Sequence, residues 1–340
     1  MRVVFFHRRP RLRANFSVES LFRQIRAVLP TSVTWDISEA SYFSNGFFKR
    51  LYIGIEAAFR QRDVNHITGD INFVAIFLRK KRTVLTVLDV GLMNNPNWFA
   101  RMILKWFWII LPVKRCAIVT TISGSTKTEL LKYVNANPDK VKVVYVPISP
   151  QFVPQPKAFN KVKPVILQIG TKPNKNVVRL VRALDGISCR LEIVGEVDQS
   201  LKKELELARV DYSASKNLTD QEILDKYHGA DIVSFVSTYE GFGMPIVEAN
   251  AVGRVVITSN LLSMPEVAGD AAHLVNPFDV ASIRSGLVRI IEDDAYRNLL
   301  IEKGFRNRMR FDVVAIARQY SEIYDQLYAS GISKPPRHEA

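Results

Sequence analysis

Tyr239-Glu-Gly-Phe-Gly-Met-Pro-Ile-Val-Glu248 is the stretch whose reading decides the fold. It follows Asp231-Ile-Val-Ser-Phe-Val-Ser-Thr238, an apolar, β-branched run of the kind that forms a buried strand. It leads into Pro245-Ile-Val-Glu-Ala-Asn-Ala-Val-Gly253, a short helix by its signals, with Pro at the first position and Gly just past the end. A strand, a glycine loop and a helix in that order bring bare backbone N–H groups and the positive end of a helix dipole to one point, where a phosphate is the natural occupant. Glu240 stands at the mouth of the loop and Glu248 eight positions later, in the first helical turn on this reading. There the helix terminus would favour its ionised form by roughly 0.3–1 kcal/mol. An ordinary tight turn would account for Gly241 and Gly243 equally well if they stood alone.

They do not stand alone. The stretch resembles the Glu-x7-Glu signature of family 4 retaining glycosyltransferases (glycosyl transferases group 1), down to the Gly-Phe-Gly-x-Pro core and the small residues of Glu248-Ala-Asn-Ala251. The resemblance implies an α/β fold of the GT-B type: two doubly wound parallel-sheet, Rossmann-like domains facing across a cleft. It implies that Glu248 binds the ribose hydroxyls of a nucleotide-sugar donor. It implies too that Glu240 contacts the donor sugar, and that Gly241, Phe242 and Gly243 turn their amides to the sugar and diphosphate.

With 340 residues the chain has room for two domains, and 47% hydrophobic with 24% charged residues is ordinary globular composition. The charge is one-sided. Residues 1–150 hold 23 Lys+Arg against 9 Asp+Glu, a net +14, while residues 151–340 hold 24 against 24. A basic first half suggests a polyanionic partner there: an anionic membrane surface, a phosphorylated acceptor or nucleic acid. Cys116 and Cys189 are far apart in apolar contexts and read as buried fillers, with no disulfide or metal framework. Met1-Arg-Val-Val-Phe-Phe6 is too short for a signal peptide and reads as a first buried strand.

After that strand the family's usual glycine-rich turn is replaced by Arg8, Arg9, Arg11 and Arg13. Arg8, Arg9 and Arg11 become acceptor-side or diphosphate-binding candidates, because the C-terminal edge of a parallel sheet is where ligands bind. Ser17 with Glu19 and Ser20 signals a helix over Val18 to Leu29. Thr83-Val-Leu-Thr-Val-Leu-Asp89 reads as a strand ending in a carboxylate. The resemblance would put His-Asp at that end; here Leu88 takes the His position and only Asp89 matches, so His66 and His7 become substitute candidates. Asn97 to Leu111 holds Trp98, Trp106 and Trp108 with Arg101 and Lys105, a composition suited to a helix lying in a membrane interface. It is too short to span a bilayer and is expected to stop at Pro112. A helix buried between sheet and neighbour is the competing reading.

The prolines at 147, 150, 154 and 156 mark a linker. On this organisation residues 1–150 form the acceptor-side domain, residues 160–311 the donor domain, and a helix over 313–328 crosses back onto the first. Past the linker, Pro164-Val-Ile-Leu-Gln-Ile-Gly170 reads as a strand and Thr171-Lys-Pro-Asn-Lys-Asn176 as its exit loop. The resemblance puts the donor diphosphate on this loop: Lys175 matches the family lysine, Asn174 stands in the place of an arginine, and Lys172 is the candidate to compensate. Gly170 and Gly195, each ending a strand, are points where backbone can approach a ligand closely. Leu218, before a helix capped by Thr219, sits where the family holds the nucleobase.

The reading that follows is a retaining hexosyltransferase with a nucleotide-sugar donor and a glycan or lipid-linked acceptor, acting in surface-polysaccharide or lipopolysaccharide assembly. Glu240, Lys175 and Asp89 are its catalytic candidates. No cofactor and no metal is expected, no nucleic-acid partner either, and the location is cytoplasmic or peripheral on the inner face of the cytoplasmic membrane. Two alternatives share the frame: a non-catalytic GT-B-like protein that binds a polyanion through its basic half, and a phosphorylase or sugar-nucleotide hydrolase.

Overall fold

The computed structural model describes residues 1–10, 18–94 and 96–332. The chain forms two compact units, Met1–Pro147 with Val313–Ala340, and Ile148–Asp312. Each is built on a six-stranded sheet in which every neighbouring pair is parallel.

In the first unit the strands are β1 (Arg2–His7), β2 (Thr34–Glu39), β3 (Val64–Ile67), β4 (Thr83–Val87), β5 (Ile118–Thr121) and β6 (Val141–Val143), ordered β2-β1-β3-β4-β5-β6. Side chains of β1 alternate between two cores. Val4 and Phe6 join Ile53, Ala57, Phe73 and Val113 on one face, while Val3 and Phe5 join Phe22 and Ile25 on the other. Burial on both faces is why these strands are continuous apolar runs. The second face is closed by Ile316, Ala317, Tyr320, Ile323, Tyr324 and Leu327 of the helix Val313–Ile332, which the far end of the sequence supplies.

A polar thread runs through that core. His66 Nδ1 lies 2.7 Å from the Tyr324 hydroxyl and its Nε2 2.8 Å from Thr86 Oγ1, which in turn lies 2.7 Å from Thr120 Oγ1. Burial pushes the His66 imidazole well below its usual pKa.

The tryptophan segment departs from expectation. An α-helix over Trp98–Leu104, capped by the Asn97 side chain, runs into π-helical turns over Lys105–Ile110 and continues through Pro112 to Arg115. Leu111 N donates to Trp106 O, five residues back. Trp108 O is the carbonyl that an ordinary turn would offer to the missing N–H of Pro112, and it accepts from Asn72 Nδ2 at 2.9 Å instead. With its acceptor satisfied from outside, the proline is absorbed instead of ending the helix. Other boundaries moved less: the first helix is Val18–Ala27, and its expected cap Ser17 lies outside the described residues.

The second unit holds β7 (Val165–Ile169), β8 (Arg190–Val194), β9 (Asp211–Ser215), β10 (Ile232–Phe235), β11 (Val255–Ser259) and β12 (His273–Val275), ordered β12-β11-β10-β7-β8-β9. The chain therefore fills one side of β7 and then returns to start the other. β7 and β10, distant in sequence, lie side by side with Ile232 opposite Ile166 and Ser234 opposite Gln168. Asp231 locks their starts together: its buried carboxylate accepts from Val165 N at 2.8 Å and Asn160 N at 3.1 Å, and pairs with Lys157. The exit loops of β7 and β10 then emerge together at a topological switch point, where open parallel sheets bind ligands. Among the described residues no helix is long and apolar enough to cross a membrane.

Candidate active site in the second unit

The loop leaving β7 makes a short 3-10 turn, Pro173–Lys175, before the helix Val177–Leu184. The stem of Lys175 packs on Gly170, so that a Cβ there would come 3.1 Å from Lys175 Cε. Its ammonium reaches across to the β10 loop, 2.7 Å from Glu240 Oε1 and 4.6 Å from the centre of the Phe235 ring. Both partners keep less than a fifth of their side-chain surface exposed.

Asn174 does not stand in for a cation. Its Nδ2 donates to Tyr239 O at 3.0 Å and to Glu240 Oε1 at 3.1 Å, and its backbone oxygen accepts from Thr238 N at 2.8 Å. It ties the two loops into one body. Lys172 opens the turn, exposed and without an ion pair among the described residues. Gly195, past β8, allows a close approach: with φ +155°, its absent Cβ would lie 2.7 Å from Thr171 Cγ2.

Beyond Glu240 the loop turns at Gly243, whose φ of +118° starts the helix Met244–Val252. Ser263 Oγ braces the turn at 2.7 Å from Phe242 O and 3.0 Å from Glu240 O. Gly241 lies at the tip between these braced carbonyls. The Phe242 side chain is buried edge-on against Phe311, 5.6 Å between centroids.

Glu248 corrects the sequence reading. It is the fifth residue of its helix, beyond the first turn, and it is buried. Burial, not the helix terminus, dominates its electrostatics and pushes its pKa up to about 7, against the pull of the Tyr227 hydrogen bond and the Lys175 charge. Tyr227 donates to Glu248 Oε2 at 2.5 Å, whereas Oε1 accepts no hydrogen bond among the described residues. Tyr227 is itself fully buried on the helix Asp220–Gly229, which opens with a Thr219–Glu222 capping box. Arg254 fixes that helix against its neighbour, donating to Tyr227 O at 3.1 Å, His228 O at 2.8 Å and Val252 O at 3.0 Å. Sequence reasoning missed Tyr227 and Arg254, since an aromatic residue and a cation near helix ends carry no signal of their own.

The remaining candidates lie elsewhere. Leu218 follows β9 at the far side of the sheet, where it lines a cavity of about 480 Å³ with Ser215, Glu222 and Lys226. Asp89 belongs to the first unit, exposed past β4, with Oδ1 accepting from Gly91 N at 2.8 Å. Arg8 pairs with Glu19 at 3.0 Å and with Asp70; Arg9 donates to Ser41 O at 2.8 Å and lies over the Phe43 ring. Arg11 lies outside the described residues. His66 is not available to an acceptor: it is fully buried in mid-sheet with both ring nitrogens engaged. His7 is buried as well, its Nε2 2.8 Å from Arg26, and burial beside that cation pushes its pKa down to about 4. Among the described residues no three His, Cys, Asp or Glu side chains gather as metal ligands would.

Residues 151–307, nearly the whole second unit, match the family described as glycosyl transferases group 1. The O-antigen chain mannosyltransferase B of Escherichia coli is 24% identical over 258 residues, 68% of this chain and 67% of its own. The MMP alpha-(1->4)-mannosyltransferase of Mycolicibacterium hassiacum is 26% identical over 254 residues, 68% of this chain but only 60% of its own. Among solved structures, Anabaena Alr3699/HepE in complex with UDP and glucose superposes with a TM-score of 0.75 at 16% identity, covering 95% of this chain and 99% of that one. The second unit thus resembles the glycosyl transferases group 1, and the fold of the chain is GT-B.

Proposed function

We propose that this protein is a retaining hexosyltransferase of family 4 that moves a sugar from a nucleotide-sugar donor to a glycan or lipid-linked acceptor in surface-polysaccharide assembly. The observation that carries the reading is the meeting of Lys175 and Glu240 across the β7–β10 switch point, with Glu248 buried on the helix that follows. In the resting site the two charges neutralise each other. A donor diphosphate competes for the Lys175 ammonium and frees Glu240 to accept from sugar hydroxyls. Ribose hydroxyls donate to Glu248, whose Oε1 has no hydrogen-bond partner among the described residues.

In the reaction, the bond between the anomeric carbon and the leaving phosphate oxygen breaks, and the acceptor oxygen bonds that carbon on the same face. The acceptor's proton passes to the departing phosphate. Negative charge grows on the leaving group, and a fixed cation with loop amides stabilises it without reorganising. On this reading Lys175 supplies the charge that a divalent metal supplies elsewhere.

The mannosyltransferase names of the relatives make mannose the first sugar to try. A thermal-shift screen of UDP-, GDP- and ADP-sugars tests the proposal. One donor should raise the melting temperature, in high salt as well as low, and Glu248→Ala should abolish the shift. No stabilisation by any of them would refute it.

A further inference from the structure

The first unit carries two adjoining cavities that the donor chemistry does not use. One, of about 250 Å³, is almost entirely apolar: Phe47, Leu51, Phe73, Phe77, Ile103 and Phe107 line it. The other, of about 500 Å³, is basic, lined by Arg8, Arg9 and Arg50 with Asp70 as its one carboxylate, and it lies past the C-terminal ends of β1 and β3. Arg50 and Trp108 belong to both walls, the guanidinium stacked 4.6 Å above the indole. The apolar cavity is open, since Phe47 keeps 72% of its surface exposed and Phe107 47%. Its walls are the helix Phe47–Phe59, the turn Asn72–Phe77 and the tryptophan segment. Gly54 allows the first two to meet, for a Cβ there would run into the Phe77 ring.

We propose that these two cavities together bind one phosphate-headed lipid, its hydrocarbon chain in the apolar cavity and its phosphate among Arg8, Arg9 and Arg50. This assignment rests on the lipid-linked acceptor reading and makes the pair of cavities the acceptor site. Charge and polarity select the occupant. A free anion leaves the apolar cavity wet, and a neutral hydrocarbon leaves Arg9 and Arg50 on the cavity wall without an ion pair among the described residues, Arg8 being held by Glu19 and Asp70. A single amphiphile satisfies both, and the wall shared by Arg50 and Trp108 joins the two cavities. Arg50 donates to Ser44 O at 3.0 Å through Nε, which leaves its terminal nitrogens to grip phosphate. At the rim, exposed Trp98 and Trp106 accompany Arg101 and Lys105, the composition that seats a surface in the headgroup layer. A chain could then slide from the bilayer into the cavity without crossing water.

Farnesyl diphosphate, which joins an isoprenoid chain to a diphosphate, is the probe. Calorimetry on the full chain should give a Kd at least ten-fold below that of inorganic diphosphate or of farnesol. Leu51→Glu and Ile103→Glu, at partly exposed positions, should each weaken farnesyl diphosphate ten-fold or more and leave inorganic diphosphate binding and the melting temperature unchanged. Arg50→Met should weaken both phosphate compounds. Equal affinity for farnesyl diphosphate and inorganic diphosphate, or no effect of Leu51→Glu and Ile103→Glu, would overturn the proposal in favour of plain surface charge. Nucleotide-sugar stabilisation is read separately. A chain that binds farnesyl diphosphate but no nucleotide sugar refutes the transferase reading and not this site, and the converse result refutes this site alone.

Discussion

Tyr227 donates its phenolic proton to Glu248 Oε2 at 2.5 Å, and both side chains are buried in the second unit. The hydroxyl holds the carboxylate in place and partly offsets the cost of its burial, which leaves the acid poised near neutral pH. Tyr227→Phe should remove the hydrogen bond, raise the Glu248 pKa further and cost about 1–3 kcal/mol of stability. Denaturant unfolding at pH 8, where the wild-type acid is ionised, would measure the loss. The pH at which donor binding strengthens should move up with the pKa.

Glu248 itself should make stability fall as pH rises. Its folded pKa of about 7 lies above the unfolded value of 4.5, so between those values the folded chain holds a proton that the unfolded chain has released. The penalty begins near the unfolded value and is complete above the folded one. At 1.36 kcal/mol per unit it amounts to something on the order of 3 kcal/mol. Glu248→Gln should flatten this part of the profile in melting temperatures taken from pH 4.5 to pH 8. The same variant should bind the donor far more weakly at every pH.

On the proposed reaction Lys175→Ala removes the cation that would face the leaving diphosphate, and it should lower kcat by about 100-fold or more, with a smaller change in KM. Steady-state kinetics with the donor found in the screen would decide it. Asn174→Ala leaves the charge but releases the tie to Tyr239 and Glu240, so its loss of kcat should be smaller and accompanied by a lower melting temperature.

Asn72→Ala should destabilise the first unit by about 1–3 kcal/mol, because Trp108 O is left buried opposite a proline with no N–H to give. Asn72→Asp, which keeps the size and removes the donor, should do no better. Urea unfolding followed by tryptophan emission would report both.

Much of the fold was legible. Apolar β-branched runs alternating with helices announced two parallel sheets, and strands buried on both faces carry that signal at full strength. β2, at a sheet edge, leaves Trp35 and Ile37 exposed beside polar neighbours, and β9 is mostly polar, so neither has a clean period. β12 has only three residues. At the site, the glycines and paired glutamates stood out because such a cluster is rare in a loop. What holds them was not visible: Asn174 read as a missing charge and proved a staple, and Tyr227 drew no reading of its own. His66 shows the opposite failure, a titratable side chain taken for chemistry whose partners, Thr86 and Tyr324, arrive from remote sequence.

The packing of Tyr320, Tyr324 and Leu327 beneath the first sheet has a consequence for synthesis. A ribosome makes β1 well before the helix that seals it, so β1 waits while the whole second unit is synthesised. The second unit is contiguous and is free to close on its own while translation continues. A nascent chain halted just before Val313 would carry a finished second unit tethered to an unsealed first one, its histidine pocket still open to water.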